Sequence, residues 1–267
     1  SQLSHKTIGF LNGIIFSIPV NICSIIWLAS LIAVFTTKES GETVRFLKSA
    51  VGRKILMSVS GMMMVMFVTV HLLGNSSIFA GTDGINVYAE KLRGMGPFVW
   101  LFRIIMIAAF SIHAFFGIQL TLENKSAKPE TYKVKKALSA SFASKNMVWT
   151  GLIIGAFLIY HLLHFTFHIT APGIFFGIHL DAMRRHDVFG MVVMSFQSLI
   201  ISLIYIFTMV VLFLHLSHGI QSFFQTLGLN SDRTFPLIIK GGKLAAAMIF
   251  LGFISIPVVI FFGILRH

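Results

Sequence analysis

Apolar runs long enough to cross a bilayer alternate with short polar links along most of this chain. Residues 11–35 form the first run, weakened by Asn12, Pro19 and Asn21. At about 25 residues it exceeds the roughly 20 that a spanning helix needs, and it predicts a membrane helix kinked near Pro19. A cleaved signal peptide is the rival reading, but the run is long for one and has no clear small-residue cleavage site. Five core spans follow, predicted near residues 55–73, 98–122, 147–169, 190–224 and 240–265. The fourth is longer than one bilayer thickness, so its end should project or tilt. Pro257 should kink the fifth. Residues 75–96, rich in Gly, Asn and Ser and punctuated by Gly96-Pro97, read as a loop, as do residues 170–189.

Histidines interrupt this pattern. His71, His113, His161 and His215 each lie inside a different core span. An imidazole in a lipid-spanning helix costs free energy unless it faces the bundle interior and finds a partner. At about 1.5 Å of rise per residue, distances from the helix ends place His71 and His161 in one half of the bilayer and His113 and His215 in the other. Two haems, one clasped by His71 and His161 and one by His113 and His215, explain four such residues at two levels. Tetrahedral zinc is disfavoured because the histidines divide between two depths.

Gly117 and Gly219 each follow a proposed ligand by four positions, on the same helix face. They leave space for a porphyrin edge or, more simply, let helices approach closely. His164 and His218 fall three residues after a proposed ligand, on nearly the same face, and could bond a propionate or substitute as ligand. His5, His168, His179, His186 and His267 lie at ends or in loops and read as solvated.

Composition fits an all-α integral membrane protein: 56% hydrophobic, 11% charged, with a mean hydropathy of +0.87. The one cysteine, Cys23, excludes a disulfide framework and any Cys-based zinc or iron-sulfur site within the chain. A net charge of +12 could suggest nucleic acid, but the basic residues concentrate in particular links, which is the signature of topology. The links after Phe35 and after core spans two and four, the last taken with the start of span five, carry 14 of the 21 Lys and Arg residues. By the positive-inside rule those links are cytoplasmic. His71 and His161 then form the outer pair, and His113 and His215 the inner one. The expected organisation is residues 1–46 as an N-terminal extension with an extra membrane helix, and residues 47–267 as a five-helix di-haem membrane domain.

HLLGN at His71, the following INVYAEKL, HAFFG at His113, TGLIIGAFLIYH ending at His161 and FLHLSHGIQSFFQTLG around His215 carry a family resemblance. Together they resemble the one-subunit, two-haem cytochrome b membrane anchor of succinate dehydrogenases and fumarate reductases. The resemblance runs from about Arg53 to Leu265, and the membrane run before it departs from the family's five-helix pattern. It implies two b haems held by His71, His113, His161 and His215. It also implies electron exchange with a quinone, menaquinone in the usual case. The implied partners are a cytoplasmic iron-sulfur subunit and a FAD subunit that interconverts succinate and fumarate, all at a bacterial cytoplasmic membrane. Dicarboxylate chemistry would then occur in a partner, and no nucleic acid is expected.

Quinone chemistry needs a group that can pass protons. Glu90, with Asn86 and Tyr88 near it, is the candidate at an outer site. The alternative is a solvated carboxylate paired with Lys91 or Arg93. Arg53, Lys54 and Arg103, near helix ends, read either as partners of haem propionates or as interfacial snorkelling residues. Two rival functions stay open: a cytochrome b anchor for another oxidoreductase, such as a hydrogenase or formate dehydrogenase, and a haem-free transporter with a histidine proton relay.

Overall fold

The computed structural model describes residues 45–46, 48–127, 141–170 and 180–266. The expected helix over 11–35, Cys23, His5, His179, His267 and much of the basic link after the second core span lie outside them. The chain divides into two compact units, Ser1–Arg53 and Lys54–His267. The second holds every histidine of the four spans.

Five helices are long and apolar enough to cross a membrane, the architecture of an all-α multi-pass membrane protein. They are α1 (Ala50–Asn75), α3 (Pro97–Ser126), α4 (Met147–Phe165), α6 (Leu199–Thr226) and α7 (Phe235–Phe261), with the shorter α2 (Gly81–Gly94) and α5 (Val188–Gln197) between them. Pro97 sits in the first turn of α3 and Pro236 in that of α7, where a missing N–H leaves no helical bond unmade. Among the described residues there is no strand, only an isolated bridge between Leu180 and His186. Many large apolar side chains point outward, Trp100, Ile104, Ile107, Ile200 and Phe207 among them. In a soluble protein so much exposed apolar surface would be a liability; on membrane helices it is the face that meets lipid.

Two segments differ from what the sequence suggested. The predicted loop at 75–96 is mostly helical: a 3-10 turn, Ser76–Ala80, leads into α2. Asp83 in the first turn of α2 and Lys91 and Arg93 in its last complement the helix dipole. Its inward side carries the buried Ile85 and Asn86. The glycines that suggested a loop stand at its two ends and at Gly84, where a Cβ would collide with the Ser77 carbonyl.

The second difference is a break in the predicted fourth span. Ser198, at φ −74° and ψ 120°, separates α5 from α6. The Phe196 carbonyl, deprived of its helical partner, accepts a 2.7 Å hydrogen bond from the buried Ser202 hydroxyl. In lipid an unpaired backbone group is costly. Replacing Ser202 with alanine is therefore expected to cost about 0.5–2 kcal/mol, measurable as a lower Tm of the purified protein in detergent.

Most other hydroxyls in the spans, such as Ser60, Thr69, Ser111, Thr121 and Thr208, also donate to a carbonyl one turn back in their own helix. They satisfy themselves locally. α6 packs along α7 and against α4. One buried cluster gathers Ile78, Ile85, Phe189, Val193, Phe196, Ile201, Tyr205 and Ile260 where α2, α5 and the ends of α6 and α7 converge, and another joins Leu216 and Ile220 of α6 to Ala246 and Ile249 of α7. The backbones of α1 and α3 stand further from their neighbours. Aromatic and imidazole rings span that gap, including Phe67 and Phe102 at 5.6 Å.

Candidate functional site: two histidine pairs and a polar cleft

The four span histidines meet in twos. His71 of α1 and His161 of α4 have ring centroids 5.9 Å apart with planes 88° to each other. His113 of α3 and His215 of α6 are 6.2 Å apart at 73°. Among the described residues no group of three or more His, Cys, Asp or Glu side chains is placed to hold a metal ion, so the arrangement offers pairs of ligands.

The ring nitrogens have definite partners. His113 Nδ1 lies 2.8 Å from the Met57 carbonyl of α1. A carbonyl can only accept, so Nδ1 carries the proton and Nε2 keeps its lone pair. His215 Nδ1 lies 3.0 Å from Thr150 Oγ1. The Thr150 hydroxyl faces the Met147 and Asn146 carbonyls at 3.0 and 3.1 Å and donates its proton there. It therefore accepts from His215, and His215 Nε2 also keeps its lone pair. His161 Nδ1 is 3.3 Å from the Tyr205 hydroxyl. His71 packs on Phe67, one turn back, and on Phe253 of α7.

Two glycines back the rings of the second pair. A Cβ at Gly61 would stand 2.9 Å from His113 Cε1 and Nδ1, and one at Gly151 would stand 3.4 Å from His215 Cε1. Gly117 and Gly219 have more room: a Cβ at Gly117 would meet only Met57 Sδ at 3.8 Å, and one at Gly219 would meet nothing.

The neighbouring histidines do different work. His218 Nδ1 receives a 2.8 Å hydrogen bond from the Gln221 amide nitrogen. Its proton is then on Nε2, the tautomer opposite to that of His215. His164 is fully buried, with Nδ1 3.0 Å from the Tyr205 hydroxyl and its ring against Phe165 and Tyr160. Arg103 is exposed and places its guanidinium 4.9 Å over the Trp100 ring, a cation–π contact. Arg53 lies in the first turn of α1 and Lys54 next to it, exposed.

Glu90 is exposed at the rim of a cleft of about 170 Å³ lined by Asn86, Arg93, Leu180, Arg184, Arg185 and His186. Among the described residues Glu90 forms no ion pair. Asn86 fastens the cleft from below. Fully buried, it donates to Asp181 Oδ2 at 3.0 Å and Asp187 Oδ1 at 3.2 Å and accepts from the Phe189 N–H at 2.9 Å. Asp187 Oδ1 also caps α5 by accepting from the Gly190 N–H. Arg185 bridges Asp83 at 2.6 Å and Asp181 at 2.7 Å. Burial works to raise the Asp181 pKa, but hydrogen bonds from the Arg185 side chain and N–H, Asn86 and the Met183 N–H outweigh it. The carboxyl is held well below the usual carboxylate range, so this latch stays ionised at any physiological pH.

Five contributors escaped the sequence reading: Met57, Gly61, Thr150, Gly151 and Tyr205. The Met57 contact is made by backbone and leaves no mark in the side chain. Gly61, Thr150 and Gly151 carry a faint one, a small residue level with a histidine of another span. Tyr205 carries the clearest, a tyrosine inside a strongly apolar span. The chain matches no family model, no curated protein and no solved structure.

Proposed function

We propose that this chain is the membrane-anchor cytochrome b subunit of a succinate:quinone oxidoreductase, a succinate dehydrogenase or quinol:fumarate reductase. In this reading His71 with His161, and His113 with His215, would each hold one b haem. The observation that carries it is the meeting of four imidazoles from four helices in two pairs. Two imidazoles sharing one metal ion at bonds of about 2 Å bring their ring centres to roughly 6 Å, and the observed separations are 5.9 and 6.2 Å. Lone pairs on Nε2 of His113 and His215, glycines against both of those rings, and α1 and α3 standing back from the bundle all suit a flat cofactor between the helices.

A bound haem would supply one-electron transfer; the chain supplies the ligands, their tautomers and a dry setting. Electrons would pass between an iron-sulfur partner and a quinone through the two pairs in turn. The iron-sulfur and FAD partners, menaquinone as the quinone and a bacterial cytoplasmic membrane rest on the sequence resemblance. One cysteine in the chain leaves no cluster site of its own, which agrees with partners that carry those groups.

The cleft beside Glu90 is the proposed quinone site. Its exposed carboxylate can exchange protons with water, and Arg93, Arg184 and His186 around it offer donors to a quinone oxygen. Exchanging Glu90 for glutamine is expected to cut quinone turnover by roughly 10²–10⁴-fold while both haem spectra persist. Full activity in that variant would remove Glu90 from the mechanism.

One observation favours a rival. The Tyr205 hydroxyl links His161 to His164, a hydrogen-bonded chain of the kind a haem-free proton relay would use. That reading predicts a purified protein without haem absorbance. Co-purification of a FAD subunit with succinate-oxidising activity separates the proposed assembly from a hydrogenase or formate dehydrogenase anchor.

A further inference from the structure

Sequence spacing leaves His161 and His164 as near-equivalent candidates on one face of α4. The structure places a single hydroxyl against both, with Tyr205 Oη 3.3 Å from His161 Nδ1 and 3.0 Å from His164 Nδ1. The phenol is held there by its surroundings. Tyr205 is 7% exposed, with Phe157 and Phe196 edge-on at 4.9 and 5.0 Å and Phe165 at 5.8 Å.

A phenol has one proton to give and lone pairs to accept with. It can donate to one of these nitrogens and must accept from the other. If His161 binds a metal through Nε2, its Nδ1 bears the proton and donates to the phenol oxygen. The phenol proton then goes to His164 Nδ1, which is the closer nitrogen, and His164 carries its own proton on Nε2. One tyrosine thus sets opposite tautomers on the two histidines: His161, whose ring faces His71 at 5.9 Å, as ligand and His164 as its support.

We infer that Tyr205 is a positioning residue that holds the Nδ1 proton of His161 and lowers the reduction potential of the haem that His161 would share with His71; this rests on the di-haem reading above. An acceptor at Nδ1 makes a coordinated imidazole more basic. A more basic ligand stabilises ferric over ferrous iron, so removing the acceptor raises the potential.

The test is a redox titration of the whole membrane complex, wild type against Tyr205→Phe, followed in the optical bands of the two haems. The bands are assigned by the one that His71→Ala removes. Phenylalanine keeps the ring and its packing and deletes only the hydroxyl. The haem of the His71 and His161 pair is expected to favour its reduced form about tenfold more, a rise of about 59 mV for one electron, with the other haem unmoved. Thr150→Val is the mirror variant and is expected to raise only the His113 and His215 haem. Should Tyr205→Phe fail to assemble, His164→Leu, which removes the acceptor of the phenol proton, is expected to shift the same haem in the same direction by less. Unmoved potentials in a complex that retains both haems, or a shift confined to the wrong haem, would overturn this inference alone. Absence of haem from the wild type would overturn the reading beneath it.

Discussion

Replacing His113 with alanine is expected to reduce the purified protein from two b haems to one, with the His71 and His161 haem spectrally intact. The selectivity follows from geometry. His113 meets only His215 among the span histidines, at 6.2 Å, while His71 and His161 meet each other at 5.9 Å from different helices. Loss of the partner leaves His215 alone, and a lone imidazole cannot hold a six-coordinate low-spin iron between two helices. Even changes to groups behind a ligand typically cost 10–100-fold in affinity, so loss of the ligand itself should exceed that range. Exchanging His71 for alanine should give the converse result. Haem-to-protein ratio by the pyridine method, with the low-temperature optical bands, reads both variants. A variant that lost both haems would show that the pairs are not independent.

Gly61→Leu is expected to abolish the same haem without touching either ligand. A Cβ there lies 2.9 Å from two atoms of the His113 ring, closer than side chains tolerate, and the rest of a leucine has to enter the space beyond. The imidazole would have to move off the Met57 carbonyl, giving up its 2.8 Å hydrogen bond and its aim at His215. Overpacking of this kind usually costs about 1–3 kcal/mol in stability; the larger effect is on haem content, since a ligand displaced by even an ångström no longer meets the iron. Gly241→Ala, on α7 and away from the four histidines, is the control. Its new methyl meets nothing within 4 Å, and haem content should stay at two.

The glycine contrast shows what the sequence could and could not disclose. Along one helix, spacing is fixed by the backbone, so Gly117 and Gly219 could be seen one turn after a histidine. Gly61 and Gly151 bear on the rings from other helices, and nothing in a linear pattern reveals which residue of α1 faces which residue of α3. A fixed rise per residue converts position along each span into an expected depth, and that is how the four histidines sort into two levels from sequence. The structure puts His71 with His161 and His113 with His215 in ring contact.

The breaks were harder. Ser198 interrupts the predicted fourth span with no proline or glycine near it, and the device that makes the interruption tolerable is the Ser202 hydroxyl on the Phe196 carbonyl. A serine four residues further on looks like any other in a membrane helix. α2 hid in the opposite way: local composition pointed to a loop, and tertiary contacts settled the matter. Asn86 reaches Asp181 and Asp187 across about a hundred residues of chain, and that buried amide, with Arg185 joining Asp83 to Asp181, is what fixes the wall of the cleft where Glu90 stands.

Everything proposed for electron transfer and for Tyr205 depends on two bis-histidine haems in this one chain. The most direct test is to quantify haem in the purified wild-type protein and record its low-temperature electron paramagnetic resonance spectrum. The account predicts two b haems per chain, both low-spin with two imidazole ligands. A protein that folds and inserts but shows no Soret band, or whose haem survives alanine at both His71 and His113, would contradict it.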